Sequence, residues 1–280
     1  MSTGIITITG ELGSGKSAVS QLVASKYGWK RYSTGEAQRQ IARDLGITTN
    51  ELNRRAEQDP TFDDRIDSVF ASLANSSEQL VIDSRMAWHF LPASFKVKLR
   101  VSRMVAARRV LQDMQRQGER YSSVEEAAAE LLRRRASEVF RFKTKYNVDI
   151  DSDEPFDLVL DTTLATLDEV ADKIMEAYCA AQAGHPLAKT WISPKSLLPT
   201  KPWGVGDEAL PIEVVAVDGF DFIQRGHDTV SRAIQGGHVF VPIRRLGSAD
   251  VKSPYSVELT QRWESAHKIQ FQDRPKSGQA

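Results

Sequence analysis

The chain has 280 residues, 41% of them hydrophobic and 26% charged, a composition that excludes disorder as the main state and gives room for roughly two domains. Thirty-seven Lys and Arg balance 37 Asp and Glu, so no overall field draws the chain to nucleic acid or a membrane surface; a local basic patch for a small anion stays open. The single cysteine, Cys179, excludes an intramolecular disulfide framework and a cysteine-built zinc site, and it points to a reducing compartment.

In chain order, the β-branched run GIITIT over Gly4–Thr9 predicts a strand. A glycine loop follows, and then a helix over Ser17–Tyr27 with Val19, Leu22, Val23 and Tyr27 at helical spacing. Further strands are expected at Leu80–Asp83, Phe95–Val101 and Asp157–Asp161, separated by helical pattern, an alternation that implies a parallel sheet. Ser123 with Glu126 three residues on marks the start of a helix reaching about Tyr146. Another helix, about Leu167–Gln182, turns Val170, Ile174 and Met175 inward by spacing. Five of the eleven prolines then fall between Pro186 and Pro211, where a linker or irregular entry segment is expected and Trp203 reads as its anchor. Beyond it, strands at Ile212–Val217, Phe220–Ile223 and Val239–Ile243 with a helix at about Asp228–Gln235 predict a second, α+β unit. The expected division is therefore a first domain over 1–182, a linker over 183–211 and a second domain over 190–280, with a loose polar tail from about Gln270. With no basic leader and no long apolar run, the sequence reads as a soluble cytoplasmic protein.

The segment GELGSGKS from Gly10 to Ser17 fits G-x-x-x-x-G-K-[ST] in the required setting of strand before and helix after. Gly10, Gly13 and Gly15 let the backbone curl so that the N–H groups around Ser14 and Ala18 face phosphate oxygens, and the helix adds its positive end. Lys16 is placed to neutralise the outer phosphates of ATP and Ser17 to offer its hydroxyl to Mg²⁺. Asp83, ending an apolar strand, sits where a magnesium-organising carboxylate belongs, or is only a strand-end cap; Arg85 would face the same crevice. Between Arg103 and Lys145 there are eleven Lys and Arg against six Asp and Glu, an excess suited either to phosphates or to a solvated helix face. Arg134, Glu138 and Arg141 share one helical face, an arrangement that could hold a sugar or phosphate or be an intrahelical ion pair.

These residues give the first part of the chain a family likeness. Over about residues 4–178 it resembles the compact archaeal-type cytidylate kinases of the nucleoside monophosphate kinase superfamily. The likeness rests on the glycine loop with its strand, STGEAQR at Ser33–Arg39, FDDRID at Phe62–Asp67, VIDSR at Val81–Arg85, SVEEA at Ser123–Ala127, RRASEVFR at Arg134–Arg141 and YNVD at Tyr146–Asp149. It implies an α/β fold with a five-stranded parallel sheet and a helical lid at about 109–145, and transfer of the ATP γ-phosphoryl to CMP or dCMP. By the same resemblance Thr34 approaches the acceptor's base, Arg39 and Arg85 grip its phosphate, Arg109 is a lid arginine near ATP, and Arg134, Glu138 and Arg141 contact acceptor sugar and phosphates. Two departures bear on the acceptor. Ala37 and Gln38 replace a bulky apolar pair, and Ser84 replaces a glycine, where it is expected to crowd the site.

Residues about 190–246 resemble the ParB/sulfiredoxin-like fold, through ISPKSLLPT at Ile192–Thr200, PIEVVAVDG at Pro211–Gly219, FIQRGH at Phe222–His227 and VSRAI at Val230–Ile234. That family's phosphate turn reads Gly-His-His-Arg, whereas here it is Gly226, His227, Asp228 and Thr229, so the cation is gone. His227 reads as a ligand contact or a structural turn residue, and this unit as a regulator, a dock for a protein partner or a means of forming a homo-oligomer. Three functions stay open: a CMP/dCMP-type kinase, a related kinase with another small-molecule acceptor, and an ATP-binding sensor acting through the second unit. The remaining histidines lack metal-ligand spacing, so no metal beyond nucleotide-bound Mg²⁺ is expected, and a nucleic-acid partner is disfavoured.

Overall fold

The structure is a computed structural model that describes residues 4–47, 51, 70, 73–74, 76–112, 121–203, 210–247 and 254–271. The FDDRID motif, part of the expected lid, part of the proline-rich segment and most of the tail lie outside the described residues.

Strand β1 (Ile5–Gly10) leads through the glycine loop into α1 (Lys16–Tyr27), which begins after Gly15 at φ 82° and ends at Gly28 at φ 73°. Both turns require the left-handed backbone that glycine adopts without steric cost. Then follow β2 (Lys30–Ser33), α2 (Thr34–Asp44), β3 (Leu80–Asp83), α3 (Ala87–Phe90), β4 (Phe95–Arg100), α4 (Arg103–Gln112), α5 (Val124–Tyr146), β5 (Leu158–Asp161) and α6 (Leu167–Gln182). The Ser123 side chain accepts from Glu126 N as expected, and Asn147 ends α5 in the left-handed region at φ 53°. Thr166 and Glu169 form a full capping box at the start of α6.

In the first part of the sheet the order is β2-β3-β1-β4-β5, all parallel, as the alternation of strands and helices implied. β1 is buried along its whole length, and Val19 and Val23 of α1 and Val170, Ile174 and Met175 of α6 pack against its neighbours in one core. The sheet does not stop where the second unit was expected to begin. β6 (Thr190–Ile192) runs parallel to β5 and antiparallel to β9 (Val241–Leu246), which continues to β7 (Ile212–Val217) and β8 (Phe220–Arg225). A single mixed sheet of nine strands therefore carries the described residues, ordered β2-β3-β1-β4-β5-β6-β9-β7-β8.

The hydrophobic packing is nonetheless divided. A second cluster gathers β7, β8 and β9 with α7 (His227–Gln235) and α8 (Val257–His267), centred on the fully buried Trp263. Trp203 stacks edge-on to Trp263 at 5.2 Å, which agrees with its expected anchoring role. Phe271 is buried in this cluster, so the tail is tied down at least one residue past Gln270. Among the described residues no helix is long and apolar enough to cross a membrane.

Candidate active site

The C-terminal ends of β1 and β3 meet the start of α1, and the register that sets Ile8 beside Asp83 brings the glycine loop to the carboxylate. Gly13 has φ 80°, and a Cβ there would lie 2.8 Å from the Ala106 backbone of α4, so the loop packs too closely for any side chain. Glu11 fastens the loop's first residues, its amide donating to Leu99 O at 3.0 Å and its carboxylate accepting from Val101 N at 2.9 Å. No side chain caps α1, whose first N–H groups thus keep their positive end for a ligand. Ser14 Oγ is buried there without a hydrogen-bond partner.

Lys16 is paired with Asp83 Oδ1. The other carboxylate oxygen, Oδ2, accepts from Arg31 Nη2 at 3.3 Å and from Ser33 Oγ at 3.2 Å. Asp83 is 2% exposed, and burial alone would raise its pKa, yet Lys16, the Ser17 hydroxyl and Arg31 together hold it below the usual carboxylate range. Burial lowers the pKa of Lys16, with Arg85 acting in the same direction and Asp83 opposing. The site is therefore a charge-paired crevice in which an anion could exchange for a carboxylate at the lysine.

Most of the remaining expected residues lie around this crevice. Thr34 Oγ1 donates to Asp83 O at 3.4 Å. Arg85 donates to Gly10 O and pairs with Glu138 through Nε at 3.3 Å, joining α5 to the loop. Arg109 turns inward, donating to Gly13 O at 3.3 Å and to Thr162 O at 2.7 Å, so here it holds the loop from beneath. Ser17 and Ala18 are exposed on the first turn of α1, and Arg39 is exposed on α2 with its guanidinium against Gly35. Arg134 is half-buried on α5, and Arg141 lies over the Phe142 ring at 4.8 Å.

Three outcomes differ from the sequence reading or extend it. Ser84 does not crowd the crevice: its buried hydroxyl accepts from Met86 N at 3.2 Å and Ala87 N at 3.3 Å, closing the turn into α3. Arg135, a neighbour of Arg134 on α5, also approaches Glu138, at 3.9 Å, and donates to Ile150 O at 3.1 Å and to the Asp151 carboxylate. Arg31 carries no signal in the sequence because KRYS is too polar to read as a strand, yet alternation along β2 puts Arg31 and Ser33 on one side, both reaching Asp83. Arg85, Lys98, Arg135, Trp88, Phe142 and Phe156 line a small cavity beside the loop.

In His227 the sequence had left two readings open. The residue is 1% exposed, and Nε2 accepts from Thr200 N at 3.2 Å, contacts that suit the structural reading.

Residues 5–164 match the cytidylate kinase-like family. The chain belongs to that family. Residues 5–164 are accordingly a P-loop kinase domain, with the glycine loop, Asp83 and α5 all inside the match. A cytidylate kinase of Methanothrix thermoacetophila is 36% identical over 158 residues, 56% of this chain and 88% of that protein. An S-adenosylmethionine-dependent nucleotide dehydratase of Lacinutrix mariniflava is 36% identical over 179 residues, which are 64% of this chain and 36% of that protein. The chain thus spans about a third of the dehydratase's length. Among solved structures, shikimate kinase from Acinetobacter baumannii aligns with TM-score 0.44 and 19% identity, over 64% of this chain and 95% of that one.

Proposed function

We propose that this cytidylate kinase-like protein transfers the γ-phosphoryl of Mg-ATP to a nucleoside monophosphate in the cytoplasm, with CMP or dCMP as the first acceptors to try. The observation that carries this reading is the pairing of Lys16 with a buried Asp83 at the mouth of an uncapped glycine loop, within a chain of this family. The residues present fit a magnesium nucleotide: a loop with no room for a Cβ at Gly13, an unsatisfied buried Ser14 hydroxyl, and a hydroxyl and carboxylate, Ser17 and Asp83, already in contact. Ser17 and Asp83 would hold the Mg²⁺ that accompanies ATP, which supplies positive charge to the phosphates.

Phosphoryl transfer asks the protein chiefly for positioning and for charge that meets the moving phosphoryl group. Lys16 would leave Asp83 for the outer phosphates as they arrive, and Arg31 and Ser33 would keep the carboxylate oriented after that exchange. Arg85, Arg39, Arg134 and Arg141 would take the acceptor phosphate and Thr34 its base. Closing α5 over them would exclude water, which otherwise competes as acceptor. No general base is needed, because the attacking acceptor oxygen is already anionic.

Ala37 and Gln38, small and polar where the family carries bulky apolar residues, favour a second reading in which the acceptor is not a pyrimidine nucleotide. For residues about 190–246 we propose a ParB/sulfiredoxin-like unit without phosphate chemistry of its own, supported by the buried His227 and the missing cation at Asp228 and Thr229.

ADP release from Mg-ATP, measured with the full chain across CMP, dCMP, UMP, AMP and GMP and with Lys16→Ala as the blank, tests both readings. Stimulation by CMP or dCMP supports the first. Stimulation by none of the five moves the acceptor outside nucleoside monophosphates or the function to ATP sensing.

A further inference from the structure

The contacts between the two hydrophobic cores include a buried charge cluster that no sequence pattern announces. Lys98, an inner residue of β4 between Val97 and Leu99, is 3% exposed and points into the segment that follows α5. Its ammonium donates to Ile150 O at 3.2 Å, Asp151 O at 2.8 Å and Ser152 O at 3.0 Å, and pairs with Asp153 at 3.0 Å. Arg100 reaches the other oxygen of Asp153 at 2.8 Å. Burial works against the Asp153 carboxylate, but Arg100 and Lys98 together hold it below its ordinary range.

The third cation on Asp153 comes from the far end of the chain. Arg245 on β9 lies 3.6 Å from Asp153 Oδ2 through Nη1, while its Nε and Nη2 hold Asp221 of β8 in a two-pronged pair at 3.0 and 2.7 Å. Asp221 is itself 10% exposed, so the C-terminal strands present Arg245 on a fixed mount.

From Asp153 a chain of contacts leads to the glycine loop, its longest link the 3.9 Å ion pair of Arg135 and Glu138. Residues 150–151 hold Arg135, Arg135 faces Glu138, Glu138 pairs with Arg85 at 3.3 Å, and Arg85 donates to the Gly10 carbonyl. We infer that Arg245 is a positioning residue for the phosphate site: the C-terminal strands brace the 150–153 segment through Asp153, and that brace sets where Arg135, Glu138 and Arg85 stand. The inference rests on the kinase reading for its functional consequence and on the charge cluster for its structure. It gives the second core a task that needs no ligand of its own. It also accounts for a lysine buried in β4, since an apolar residue there would leave three backbone carbonyls without their donor.

Removing Arg245 alone would strand Asp221 in a buried place, so the decisive variant is the double Asp221→Asn/Arg245→Met, which deletes the brace and removes the charge of Asp221 with that of its partner, while Lys98 and Arg100 still hold Asp153. The control is Glu213→Gln, which breaks the Arg244–Glu213 pair between β9 and its other neighbour, β7, without touching Asp153. In the full-length double variant the acceptor KM is expected to rise about tenfold with the Mg-ATP KM within about twofold of wild type. Amides of 150–153 and of α5 around Arg135–Glu138 are expected to exchange hydrogen faster, and Glu213→Gln to change neither readout.

An unchanged acceptor KM overturns the inference even if exchange is faster, and so does an equal KM rise in Glu213→Gln, which would signal general loosening. If wild type phosphorylates no acceptor, the kinase reading has failed by itself. Exchange around Arg135–Glu138 then decides the brace, with wild-type protection in the double variant overturning it and faster exchange supporting it.

Discussion

Arg109 donates to the Thr162 carbonyl at 2.7 Å, and the Thr162 hydroxyl in turn donates to Ser14 O at 3.0 Å. Through this pair α4 and the residue that follows β5 meet directly beneath the glycine loop. The loop's shape therefore depends on a guanidinium that reaches it from α4, as well as on its own glycines.

Replacing Arg109 by Ala should lower both thermal stability and ATP affinity. A hydrogen bond to a charged group contributes on the order of 1.5–3 kcal/mol, and Thr162 O and Gly13 O would both lose their donor. Differential scanning calorimetry and a nucleotide titration check this; an unchanged Tm would show that the contact is incidental.

Lys16→Ala should reduce phosphoryl transfer by about a thousandfold, because it removes the cation that meets charge developing on the transferred group. Asp83 keeps Arg31 and Ser33 as partners, so the fold should persist with near-native circular dichroism. Turnover near wild type in the folded variant would remove Lys16 from the site.

Arg85→Ala should raise the acceptor KM by about tenfold or more and the ATP KM by less. The acceptor would lose a direct cation, whereas the loop would lose only a neighbour of the Gly10 carbonyl. Steady-state kinetics with each substrate varied in turn separates the two. Equal changes in both constants would mean that Arg85 serves the loop and not the acceptor.

Asp161 gives a pH-dependent expectation. Burial pushes its pKa up to about 6, with Asp221 and Glu11 acting in the same direction and Thr163 opposing. A carboxyl raised above its unfolded value favours the folded state while protonated. That advantage is complete below the unfolded value near 3.8 and is lost as pH rises through about 6. Asp161→Asn keeps the acceptor for Thr163 N and carries no charge, so it should melt above wild type at pH 8, and the gap should close towards pH 4. Melting curves at these two pH values decide it; a gap independent of pH would contradict the assignment.

Much of the catalytic half was legible in the sequence because its signals are local. Leu80–Asp83 forms the strand expected of it, and the strand, glycine loop and helix around Gly10–Ser17 appear in that order, since β-branched runs, glycine punctuation and helical spacing act within a few residues. β2, β6 and α8 were not legible: KRYS is mostly polar, TWI is three residues long, and the helix at Val257–His267 shows little beyond Trp263 to mark its buried side. The contacts of Arg135 were not legible either, because helical spacing says which residues share a face, while the direction of that face is set by what it packs against.

By itself, then, the sequence determined the glycine loop between strand and helix, the parallel direction of the strands it marked in the first part of the chain and the family likeness, all of which rest on short-range pattern. Only the tertiary structure decided that Arg31 shares Asp83 with Lys16, that Arg109 supports the loop, that Ser84 closes a turn, and that Arg245 meets Asp153 across nearly a hundred residues of chain. The reason is physical: a charge buried far along the chain leaves no periodic trace, and its partner is selected by sheet register and packing.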